Sequence, residues 1–143
     1  SLTEEQSKRE VGLLYLIGEL EHIADVVDKS LLSLARQKTG GKLAFSPQGM
    51  SELEDFHRLV LENLRTVITA ITTRDQELAR KVLAEKAVIN RRERELRQAH
   101  IQRLHAGTKE SMETSSIHID VLNDLKRINP HATNMAYVVL GEL

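Results

Sequence analysis

The fold is decided by the sequence GELEHIADVVDKSL, residues 18–31, which carries two stripes when it is wound as an α-helix. One stripe is apolar and continues beyond the stretch on both sides: Leu13, Leu16, Leu20, Ala24, Val27, Leu31 and Leu34. The second stripe is acidic, lies roughly a quarter-turn away and consists of Glu21, Asp25 and Asp28. The apolar stripe predicts a long amphipathic helix that docks against other helices.

The acidic stripe has two interpretations. Carboxylates at i, i+4 and i+7 repel one another by a few tenths of a kcal/mol per pair, so something must tolerate or use that repulsion. Either bulk water and salt solvate a plain charged face, or a cation binds on the flank of a helical bundle. Glu21, Asp25 and Asp28 are therefore the candidate metal ligands of this sequence.

Composition and charge exclude several classes of protein. The chain has 143 residues, enough for one domain with a sizeable core, and no cysteine, which excludes disulfides, thiolate catalysis and Cys-type zinc sites. A formal net charge of -1 gives no dominant attraction to nucleic acid or anionic lipid. No apolar run approaches the roughly 20 residues that span a bilayer, so we expect no direct bilayer insertion. Two prolines and many strong helix formers predict an all-α chain.

Caps and breaks divide the chain into four long helices. We expect them at about residues 3–38, 47–73, 76–104 and 110–140. Thr3, Ser46 and Asp75 are the N-cap candidates. Pro130 interrupts the last helical pattern, but the apolar period continues beyond it, so we expect one kinked helix. Long helices with short loops predict a single domain, residues 1–143, folded as an antiparallel up-down four-helix bundle.

Two Glu-x-x-His pairs, Glu19/His22 and Glu54/His57, have the spacing found in di-iron carboxylate bundles. Di-iron ligands project into the bundle core. On the helix described above, Glu19 and His22 point away from the apolar stripe, so we predict that they are not such ligands.

A mixed line of polar residues follows the last helix: Asp120, Asp124, Arg127 and His131. Mixed charge at helical spacing is typical of a face held by salt bridges to a neighbouring helix. The alternative is a partner surface or an ion site shared with the first helix.

Two segments, Glu19–Asp25 in the first helix and Asp124–Ala136 in the last, resemble the third-helix signature of the PhoU family, D-L-E-R-I-G-D-x-A-x-N-I-A. Residues 75–82 resemble the start of the family's middle helix. The run 116–133 is similar to the cytoplasmic C-terminal PhoU-like region of bacterial sodium/phosphate cotransporters. By this resemblance the first helix closes one three-helix unit, and the remaining three helices form a second unit.

The resemblance implies a non-enzymatic role in phosphate uptake and its regulation, on the cytoplasmic side of the membrane. The implied partner is the transmembrane transporter part of the same parent chain. The family's E/D-x-x-x-D motif holds divalent or ferric ions, and Glu21 and Asp25 match it. The equivalent positions of the last helix are Lys126 and Pro130, which cannot be carboxylate ligands, so at most one ion site of the family's pair is expected.

Two other functions stay open at this point. One is a soluble metal-binding bundle of the phosphate-regulator type, and the other is a plain module that forms homo-oligomers. No set of nucleophile, base and orienting group emerges from the motifs, so we do not expect an enzyme.

Overall fold

The computed structural model describes residues 1–141, and these are helical apart from short connections. The elements are α1 (Glu4–Asp25), a π-helical segment (Val26–Leu31), α2 (Leu32–Gly40), α3 (Pro47–Thr73), α4 (Gln76–His105) and α5 (Lys109–Val139). Because α1, the π segment and α2 follow one another without a break, they form one long rod. The predicted all-α class with four long helices is confirmed. The predicted domain, 1–143, includes two residues outside the described range.

Side-chain caps set where the helices begin. Thr3 accepts a hydrogen bond from the backbone N–H of Gln6 at 3.1 Å, and the Gln6 side chain accepts one from the Thr3 N–H at 2.9 Å, which completes a capping box. The Ser46 side chain accepts a backbone N–H of its own first turn at 3.0 Å. Asp75 caps α4 directly after Arg74, whose left-handed backbone (φ 54°) reverses the chain. The three predicted N-caps are confirmed.

The core lies between α3, α4 and α5, which pack against one another along their lengths. Its largest fully buried apolar side chains come from all three helices: Phe56, Val67, Val82, Ile89, Leu122 and Met135. On α5, Ser115 contacts His100 and Lys126 contacts Glu93, so α4 runs antiparallel to α5. Ser111 contacts Ser46 and Asn129 contacts Asn63, so α3 runs parallel to α5. These three helices form a compact bundle, and the long first rod is added to its outside.

The first rod packs in a different orientation from the one that the sequence predicted. Within the described residues α1 contacts α5 but not α3 or α4. The buried face of the rod is Gly12, Leu16, Glu19, Ile23 and Val26. Leu13, Leu20 and Val27, which were predicted to point inward, are exposed. The predicted orientation of this helix was therefore wrong by about 80° of rotation about the helix axis.

The physical reason is the closeness of α1 to α5. An added Cβ on Gly12 would lie 3.3 Å from Cγ1 of Val138, so this glycine lets the two helices approach each other. The face that packs is therefore small and mixed in character, and the more apolar face of α1 remains uncovered.

The last helix continues through Pro130 from Lys109 to Val139, so the prediction of one helix across this proline is confirmed. Both α2 and the π segment lie against α5. No helix in the described part of the chain is long and apolar enough to cross a membrane.

Candidate functional site at the contact of α1 and α5

A polar cluster lies where α1 meets α5. Oε2 of Glu19 is 2.6 Å from Nδ1 of His131, and Nδ2 of Asn134 is 3.4 Å from the same oxygen. The His22 ring lies beside the His131 ring, with centroids 5.1 Å apart and planes inclined by 47°. One ligand atom from each of Glu19, His22 and His131 can be chosen so that all three lie within 4.8 Å of one another.

Helical spacing explains how the cluster forms. Glu19 stands between Leu16 and Ile23 on the buried face of α1 and is 7% exposed, whereas His22, three residues further on, is at the edge of that face and exposed. His131 is half-buried on α5, opposite Glu19. The prediction that Glu19 points away from the packed face was therefore wrong, because the helix is rotated.

Glu21, Asp25 and Asp28, the predicted metal ligands, are all exposed. Asp25 forms a solvent-exposed ion pair with Lys29 at 3.4 Å. Among residues 1–141, none of these three carboxylates belongs to a group of three side chains close enough to share an ion. The structure places them together along one exposed flank of the rod but adds no ligand from α5, so their role as metal ligands stays a prediction.

The polar residues along α5 make two kinds of contact, one within α5 and one with the first helix. Asp124 is buried and pairs with Arg127 on its own helix at 2.9 Å, which is a salt bridge within α5 rather than to a neighbour. His131 contacts Glu19 of the first helix instead. Asp120, Asp124 and Arg127 line an open depression of about 730 Å³ between α5 and the π segment.

Glu93 of α4 is buried among cations. It is 1% exposed, pairs with Arg97 on its own helix and lies 3.6 Å from Nζ of Lys126 on α5. Arg97 also donates to Oδ1 of Asn123 at 2.5 Å. Two positive side chains therefore compensate this carboxylate on the buried face of α4.

Two buried histidines, His100 of α4 and His118 of α5, lie against each other inside the bundle. The rings of His100 and His118 stack with centroids 4.3 Å apart and planes inclined by 11°. Burial lowers the pKa of His118 to about 4, with further lowering by His100 and Arg103. Burial and the charge of Arg103 also lower the pKa of His100, although Glu52 opposes this. Both imidazoles are neutral at neutral pH.

The bundle of α3, α4 and α5 with a long antiparallel rod on α5 is the architecture that the PhoU resemblance implied. A family model described as PhoU domain matches residues 53–139, which is more than half of the chain. The chain therefore belongs to the PhoU domain family.

Curated relatives of the chain have a name that refers to phosphate export. The chain is similar to proteins named "Putative inorganic phosphate export protein YjbB" in Escherichia coli O157:H7, Escherichia coli K12 and Salmonella typhimurium. Each is 31% identical over 144 residues, which cover 99% of this chain and 26% of the relative. The chain thus spans about a quarter of the length of these relatives. No solved structure matches it significantly.

Sequence reasoning missed the role of Glu19 and its contact with His131. The available signals were the Glu-x-x-His spacing of Glu19 and His22 and the presence of a single glycine, Gly12, two turns earlier on the same face. Both signals can be interpreted only when it is known which face of α1 packs on α5. The more apolar stripe predicted that a different face would pack.

Proposed function

We propose that this chain is a non-enzymatic regulatory domain of a sodium-dependent phosphate transporter, located on the cytoplasmic side of the membrane. Membership of the PhoU family and the phosphate-export name of the relatives support a role in phosphate transport. The similarity of residues 116–133 to sodium/phosphate cotransporters supports the dependence on sodium. The domain acts by contact with the transmembrane part of its own parent chain.

The uncovered face of α1 is the observation that carries this proposal. Its large apolar side chains are between 45% and 69% exposed: Val11, Leu13, Leu14, Ile17 and Leu20. They lie on a helix whose other face is already packed on α5. These side chains extend over roughly half of the helix circumference, and exposed apolar surface of this extent is typical of a protein–protein contact.

The remainder of the parent chain is the occupant that fits this face. The curated relatives are about four times as long as the matched region, so in proteins of that size most of the chain is available as a covalently attached partner. A tethered partner binds intramolecularly at a high effective concentration, and so a modest apolar face suffices. A second copy of the domain would have to bind without that advantage.

The absence of catalysis is supported by the arrangement around Ser115. Its Oγ is 2.9 Å from Nε2 of His100, as in a nucleophile–base pair. However, Nδ1 of His100 has no hydrogen-bond partner among the described residues, and the ring is 1% exposed. The orienting acid and access for a substrate are both missing there.

The proposal is tested by phosphate flux in the full-length parent protein and in a variant that lacks the whole domain, residues 1–143. Flux is measured inward and outward at low and high phosphate, with sodium or potassium as the main cation, and is normalised to the amount of protein in the membrane. We expect the deletion to change how flux depends on phosphate concentration. Identical flux of both proteins at every phosphate level would overturn the proposal, and equal flux in sodium and potassium would overturn its sodium dependence.

A further inference from the structure

We propose that Glu19, His22 and His131 form a binding site for a divalent first-row transition metal ion, with Zn²⁺ as the best-matched probe, and that this ion fastens α1 to α5. Two imidazole nitrogens and one carboxylate oxygen are a ligand set that suits such ions. Their ligand atoms already lie within 4.8 Å of one another. The site depends on these three side chains and is independent of the role in phosphate transport.

The burial of Glu19 supports a cation at this position. Its carboxylate is 7% exposed, and in the described part of the chain its ion-pair partner is His131 rather than any lysine or arginine. A buried carboxylate is costly unless a positive charge compensates it. Glu93, the comparably buried acid of α4, is compensated by Arg97 and Lys126, whereas Glu19 has an imidazole and a longer contact from Asn134.

The geometry requires only a small adjustment. The 2.6 Å contact between Glu19 Oε2 and His131 Nδ1 is a hydrogen bond, and the ion would replace the proton in it. Two ligands at about 2.05 Å from a tetrahedral zinc ion lie about 3.3 Å apart, so this pair must separate by roughly 0.7 Å. The exposed His22 side chain can rotate to complete the set, and its exposed side leaves a coordination position open to water.

This site differs from the motif that the family uses. Glu21 and Asp25 lie on the exposed flank of α1, and Glu21 is about 160° around the helix from Glu19. The motif also stays on one helix, whereas the proposed site joins two elements through a contact between residues 112 positions apart. Since α1 contacts no other long helix of the described residues, the ion would strengthen the attachment of the whole rod.

The experiment is a calorimetric titration of Zn²⁺ into the chain after removal of metal with a chelator, with the absorption spectrum of added Co²⁺ as a second readout. His22→Gln removes an exposed ligand without disturbing packing. His57→Gln, an exposed histidine of α3, is the matched control, and Glu21→Gln/Asp25→Asn removes the family motif.

We expect the wild type to bind one ion per chain. Loss of a ligand in His22→Gln should weaken binding about tenfold or more, while both controls bind as the wild type does. Zinc should also raise the Tm of the wild type more than that of His22→Gln. Absence of stoichiometric binding, equal binding by His22→Gln, or loss of binding only in Glu21→Gln/Asp25→Asn would each overturn the proposal.

Discussion

Nδ2 of Asn63 on α3 donates a hydrogen bond of 2.7 Å to Oδ1 of Asn129 on α5, and both side chains are buried. The pair joins two parallel helices in the interior of the bundle. A buried polar group that has a single partner is costly when that partner is removed. This pair therefore penalises any sliding of α3 along α5.

The Asn129→Leu variant should be destabilised by about 1–3 kcal/mol, because it leaves the Asn63 amide buried without its partner. The double variant Asn63→Leu/Asn129→Leu should recover much of this loss, since neither polar group remains. Urea unfolding of Asn63→Leu, Asn129→Leu, the double variant and the wild type measures the coupling free energy between the two side chains. Additive losses in the double variant would show that the two amides do not depend on each other.

Stability should fall as the pH is lowered from about 6.5 to about 4. The folded chain does not protonate His118 until the pH nears its pKa of about 4, whereas the unfolded chain protonates it near 6.5. The unfolded state thus binds more protons in this window, and the linkage costs the fold about 3 kcal/mol by the lower end. Denaturant unfolding at several pH values measures this dependence.

The variant His118→Phe separates this effect from general acid unfolding. Phenylalanine keeps a ring beside His100 but cannot be protonated, so the pH dependence should become shallower. His57→Phe changes an exposed histidine and should keep the wild-type slope. An unchanged slope in His118→Phe would mean that this imidazole is not the group responsible.

The ion pair between Arg103 of α4 and Glu52 of α3 should matter more for stability than the surface pairs. Arg103 Nη1 donates to a Glu52 oxygen at 2.9 Å, the second Nη lies 2.9 Å from the other oxygen, and both side chains are nearly buried. Arg103→Leu leaves the carboxylate without compensation and should cost about 3 kcal/mol.

Lys8→Met provides the comparison for this pair. Lys8 and Glu4 are 3.2 Å apart but largely exposed, so its removal should cost less than about 1 kcal/mol. Thermal unfolding of both variants gives the two values. Equal losses would show that burial of the Arg103 pair adds nothing.

Local signals sufficed to predict the helices. Thr3, Ser46 and Asp75 form their caps with residues two or three positions away, so the sequence alone contains the whole interaction. The inward face of α3 follows from its apolar spacing, whereas the inner face of α4 also contains the buried polar residues Glu93 and His100.

Local signals and apolar spacing could not predict which face of α1 packs on α5. This helix has two apolar faces that share Leu16, and the choice between them depends on how closely α5 approaches at Gly12. The contact of Glu19 with His131 depends on the same choice and joins residues distant in sequence. Periodicity favours the more apolar face, which is the one that the described residues leave uncovered.

In the proposed function, the uncovered face of α1 is the surface that contacts the transmembrane part of the parent chain. Leu14 is its most exposed apolar side chain at 69%, and Met112, at 60% exposed on α5, lies outside this face. Glutamate at either position changes exposed surface without removing a core contact. The two substitutions are therefore a matched pair.

The most direct measurement is phosphate flux of the full-length parent protein carrying Leu14→Glu or Met112→Glu, over a range of phosphate concentrations and at equal amounts in the membrane. We predict that Leu14→Glu changes the phosphate dependence of flux in the same direction as deletion of the domain, while Met112→Glu behaves as the wild type. Wild-type behaviour of both variants, together with an effect of the deletion, would contradict the assignment of the contact to α1.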